Sequence, residues 1–75
     1  MDSITEIMSV LTYVDKYKLI KMWSYETPLD VRISFIKSIL LTRLNRNVEG
    51  WEIMDYNFRF RVVCNRIVKE LNLIV

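Results

Sequence analysis

Seven apolar positions in the last third of the chain decide its fold class. Tyr56, Phe60, Val63, Cys64, Ile67, Leu71 and Ile74 recur at intervals of three and four residues. On a helical wheel they fall within about 100° of one another, the width of a core-facing stripe. Several residues here are β-branched, as strands prefer. The helical period nevertheless fits the whole segment, and strict alternation does not. A long helix from about residue 53 to 73 is therefore expected.

Two more helices have start signals of their own. Ser3-Ile4-Thr5-Glu6 has the form of a capping box, in which Ser3 accepts from the Glu6 N–H and Glu6 reaches back to the Ser3 N–H. Ile4, Ile7, Met8, Leu11 and Val14 follow at helical spacing. At Asp15 the apolar set rotates, which predicts a bend or a second short helix capped by Asp15. Thr27-Pro28-Leu29-Asp30 places Thr at N-cap, Pro at the first helical position and an acid in the first turn. Leu29, Ile33, Ile36, Leu40 and Leu44 then share roughly 80° of the wheel and are the expected core face. Asn45-Arg46-Asn47 ends this helix, and Gly50 is the one Gly for a backbone position with positive φ. The reading is an all-α single domain over residues 1–75. It is a small bundle of three principal helices at about 4–23, 28–45 and 53–73, or four if the first breaks near Asp15.

Composition then removes most chemistry. The chain has 75 residues, one Cys, one Gly, one Pro and no His. A disulfide framework, a Cys/His zinc site, a His-based triad and a glycine-rich phosphate loop are excluded by count. Cys64 falls on the core stripe and reads as a small buried hydrophobe. Glu49, Glu52 and Asp55 stand where a helix begins, and the macrodipole favours acids there. No catalytic, cofactor-binding or metal-binding residue and no small-molecule substrate is expected. The longest stretch without charge, from Ile7 to Val14, is far shorter than the roughly 20 residues of a membrane span. Asp2 and Glu6 near the start are unlike the basic opening of a signal peptide. An intracellular protein is expected, cytoplasmic or nuclear. The lack of Ala beside abundant Ile, Asn, Lys and Tyr looks like the codon bias of an AT-rich genome.

The remaining signal is surplus hydrophobicity, because 52% of the chain is apolar. Val31, Phe35 and Ile39 form a second apolar line on the helix after Pro28. Phe58, Val62 and Leu73 lie opposite Phe60 and Ile67, with Trp51 near the same line. Apolar and aromatic residues interleaved with Arg match the composition of interfaces. Val31, Phe35, Ile39, Trp51, Phe58 and Val62 are therefore the candidate interface, for a partner protein or for a homodimer or larger assembly. This favours a non-enzymatic interaction or oligomerisation module with a regulatory or accessory role. Tyr13, Tyr17, Trp23 and Tyr25 are expected at the core edge, with stacking on single-stranded nucleic acid as the alternative.

The alternative function is a nucleic-acid-binding regulator. Arg59, Arg66 and Lys69 share one side of the last helix, and Arg43 and Arg46 lie at the end of the helix before it. Such bases can contact phosphates. Against this, net charge is only +2. The segment from Asn45 to Met54 is also longer than the short turn of a helix-turn-helix.

Overall fold

The computed structural model describes residues 3–46 and 48–72, and among them the chain is all α. It has four helices: α1 (Ser3–Val10), α2 (Tyr13–Ser24), α3 (Leu29–Thr42) and α4 (Ile53–Glu70). The first expected helix is thus two helices. The break comes before Asp15, because Thr12 takes an extended N-cap conformation. Its hydroxyl accepts from the Asp15 N–H at 3.2 Å, and its own N–H donates to Asp15 Oδ2 at 2.7 Å. Asp15 is the third residue of the helix it helps to cap, not the cap itself. Ser3 does not form the expected box. Its hydroxyl accepts from Arg59 Nε at 2.7 Å, and Glu6 pairs with Arg46 at 2.9 Å.

α3 starts one residue later than its motif suggests. Pro28 is the N-cap, and the Thr27 N–H turns back to the Met22 carbonyl. Leu29, expected in the core, lies exposed in the first turn. At the far end Asn45 adopts positive φ, and the Arg46 N–H returns to the Leu40 carbonyl at 2.9 Å. Asn tolerates this left-handed position better than most residues. Gly50 takes the positive φ of the turn ahead of α4, as expected. α4 opens at Glu52, whose N–H donates to Asp55 Oδ2 at 2.7 Å.

The predicted stripe of α4 is the floor of the core. Tyr56, Phe60, Val63, Cys64 and Ile67 are all buried. Leu71 packs against their edge, while Leu73 and Ile74 lie outside the described residues. The other helices contribute Ile4 and Ile7 from α1, Leu19 from α2, and Ile36, Ile39 and Leu40 from α3. α1, α2 and α3 each pack mainly on α4. The helix with two apolar lines, α3, is not the central one; α4 is.

Polar ties fix the short helices in place. Lys16 pairs with Glu70 at 2.8 Å, joining α2 to α4. The strongest tie is Asp15 to Arg43. Asp15 is 4% exposed, and Arg43 grips it bidentately, Nη2 to Oδ1 at 2.8 Å and Nη1 to Oδ2. The Thr12 hydroxyl also donates to Oδ2, at 2.9 Å. Arg43 Nη1 reaches the Val10 carbonyl at 3.3 Å as well, where the C-terminal end of α1 is electronegative. One guanidinium therefore holds the end of α1, the start of α2 and the end of α3.

These bonds set a pH dependence. Hydrogen bonds from Arg43, and then from Thr12, hold the Asp15 carboxyl well below the usual carboxylate range, against the effect of burial. A lowered folded pKa gives stability that is complete above the unfolded value of about 3.9. That stability is lost as pH falls below it toward the folded pKa. Asp15→Asn is expected to cost about 2 kcal/mol at neutral pH, the scale of a hydrogen bond to a charged group. Urea denaturation at pH 7, 4 and 2.5 checks this: the variant should lose less stability than the parent on acidification. Equal losses would contradict the assignment.

Candidate interaction surface

The interior stripe of α4 leaves its opposite side to solvent, and that side is apolar at its N-terminal end. Met54 and Phe58 stand one turn apart and are 74% and 59% exposed. Ile53, the first residue of α4, is also exposed. Arg61, Asn65, Arg66 and Lys69 continue the exposed side toward the C-terminal end. Residues four apart on a helix present neighbouring side chains, so Met54 and Phe58 make one continuous apolar surface.

The six candidate interface residues do not all reach it. Phe58 and Val31 are exposed, as expected. Ile39 is 3% exposed and belongs to the core, because it faces α4 together with Ile36 and Leu40. Phe35 and Val62 are partly covered and pack against the core. Trp51 is half-buried for a specific reason. The Arg59 guanidinium lies 3.9 Å from its ring centroid, and Tyr56 meets it at 5.4 Å with a 59° tilt. Met54 and Ile53 are exposed apolar residues outside the six candidates, although the expected helix from about residue 53 includes both. The signal was present: Met54 precedes Phe58 by four and falls opposite the core stripe on the same wheel.

The basic residues divide in two. Arg43 and Arg46 are engaged with Asp15 and Glu6. Arg59 donates to Ser3 and to the Asp55 carbonyl and stacks on Trp51. These three serve the fold. Arg66 and Lys69 are exposed and form no ion pair among the described residues. Two of the five candidate phosphate contacts thus remain free, which weakens the case for a nucleic-acid-reading helix.

The N-terminal tyrosines are not core edge. Tyr13 is 79% exposed, and Tyr17 and Tyr25 are exposed too. The buried side of α2 is taken by Asp15 and Leu19, which turns the tyrosines outward. Lys16 lies 5.6 Å from the Tyr13 ring centroid and Lys21 lies 5.7 Å from that of Tyr17. Trp23 alone of this group packs against the core.

Among the described residues no cluster of His, Cys, Asp or Glu could hold a metal ion. No described helix is long and apolar enough to cross a membrane. Cys64 is fully buried, and its thiol approaches the Leu19 carbonyl at 3.6 Å. Burial pushes its pKa up to about 12, with Arg32 countering part of the rise. No protein-family model, curated protein or solved structure matches the chain.

The thiolate is the reactive form of cysteine, so a raised pKa and burial both protect Cys64. At pH 8 a disulfide reagent should label the native protein about a thousandfold more slowly than the urea-unfolded chain, as the thiolate fraction alone requires. Comparable rates in the two states would show that the thiol is accessible.

Proposed function

We propose that this protein is a non-enzymatic interaction module that self-associates through the outer face of α4. The observation that carries the reading is the exposed pair Met54 and Phe58. A chain this small gains much of its stability by covering apolar surface, and large side chains left wet on one helix favour a partner.

A second copy fits the charge arrangement. Glu52 marks one end of the exposed side, and Arg66 and Lys69 mark the other. An antiparallel pair of α4 helices about a two-fold axis would set each acidic end against a basic end. Such an isologous contact closes on itself and gives a dimer rather than a fibre. The central anchor would be Phe58, an aromatic of the kind that dominates interface energetics.

The same reading gives the module a regulatory or accessory role. No nucleic-acid role is needed to account for the bases, since most of those singled out are bound within the fold.

Sedimentation equilibrium over a micromolar concentration series tests the proposal. The parent chain should dimerise. Phe58→Asp should weaken the dimer by about thirtyfold or more, the effect of losing an anchor of about 2 kcal/mol. Its circular dichroism should be unchanged, because Phe58 lies outside the core. A parent chain that stays monomeric throughout, or a variant that dimerises equally well, would overturn it.

A further inference from the structure

The outer face of α2 is used neither by the core nor by the proposed dimer contact. Tyr13, Tyr17, Lys21 and Tyr25 succeed one another at a spacing of four, and all are exposed. Residues four apart are neighbours on a helix, so these side chains form one continuous row. At about 1.5 Å per residue the row is about 18 Å long. Val14 and Lys18 flank it and are exposed as well. Single exposed apolar side chains are ordinary, but three tyrosines gathered on one face are not scattered.

The charge on this face has one sign. Lys18 and Lys21 form no ion pair among the described residues, unlike Arg43 and Arg46, which the fold consumes. Lys16 is paired with Glu70 and does not count toward the face. The one acid of the helix, Asp15, is buried and held by Arg43. Glu26 is exposed but stands past the end of the helix. Lys18, Lys21 and Tyr25 also line an open groove of about 290 Å³ beside the helix. Lys21 Nζ lies 5.7 Å from the Tyr17 ring centroid, so a stacking surface and a cation occur at one place.

We propose that this face binds single-stranded nucleic acid, with bases stacked on Tyr13, Tyr17 and Tyr25 and phosphates against Lys18 and Lys21. Aromatic rings set among cations along one line are what sequence-tolerant strand binding uses. A duplex hides the base faces that the rings would meet. A lipid surface calls for large aliphatic or Trp side chains to insert, and Val14 is the one aliphatic residue on the face. Protein interfaces are poor in Lys, and a two-fold contact with a second copy would set lysine against lysine. The face shares no residue with the Met54–Phe58 surface, so it stands or falls independently of self-association.

Fluorescence anisotropy of a short labelled oligothymidylate, titrated with the full chain at low salt, tests the proposal. The signal should rise and saturate. Two phosphate contacts predict a loss of about sevenfold in affinity from roughly 50 to 200 mM salt, at a slope of about 0.7 per contact on single strands. Tyr17→Ala, an exposed change outside the core, should weaken binding about tenfold, the scale of one stacked base. Tyr17→Phe keeps the ring and should bind like the parent. Lys21→Gln should reduce the salt dependence by about half. Arg66→Gln, on α4, should leave the affinity unchanged, and the same strand annealed to its complement should bind more weakly. No binding at low salt, equal binding of duplex and single strand, or a loss with Arg66→Gln as large as with Tyr17→Ala would overturn the surface. So would phosphatidylserine vesicles that bind with the same dependence on Tyr17 while the oligonucleotide does not.

Discussion

Three short helices cannot each build a core, so one long helix has to serve them all. α4 meets that constraint with 18 residues and a stripe that stays apolar along its length. α1, with 8 residues, is far below the length at which a helix is stable alone. It persists because Ile4 and Ile7 are covered in the shared core and Ser3 accepts from Arg59. The same holds for α2, whose Leu19 is its one fully buried apolar side chain. The chain has no disulfide among its described residues to stand in for this burial.

Apolar burial brings the helices together but does not fix the angle between α1 and α2. Asp15 and Arg43 supply that. A carboxylate taken out of water is tolerated only when its lone pairs are filled. Thr12 and Arg43 fill them from two directions. Specificity of the bend comes from this arrangement, since Arg43 also contacts the last carbonyl of α1.

How much of this was legible in the sequence depends on the range of the interaction. The α4 stripe was legible from Tyr56 to Ile67, because a helical period is local and every inward position repeats it. The break before α2 was legible as an alternative, from the turn of the apolar set at Asp15. The pairing of Asp15 with Arg43 and of Glu6 with Arg46 joins residues far apart in the chain, and no spacing rule exposes it. That is why Arg43, Arg46 and Arg59 read as free bases when they are internal ties. Ile39 misled for a related reason. A wheel shows that α3 has two apolar lines but not that the neighbouring α4 is broad enough to cover part of the second. Met54 lies inside the helix expected from about residue 53, and its place opposite the core stripe was legible from its spacing of four to Phe58.

The inner stripe of α4 closes the core, and its opposite side leaves Met54 and Phe58 exposed, the face proposed to meet a second copy. Exposed bases continue that side toward the C-terminal end of α4. Isotope-filtered NMR on an equal mixture of labelled and unlabelled chains tests this division most directly. The account predicts intermolecular contacts between the Met54 methyl group of one copy and the Phe58 ring of the other. A spectrum without such contacts, from a sample that tumbles as a monomer at the same concentration, would contradict it.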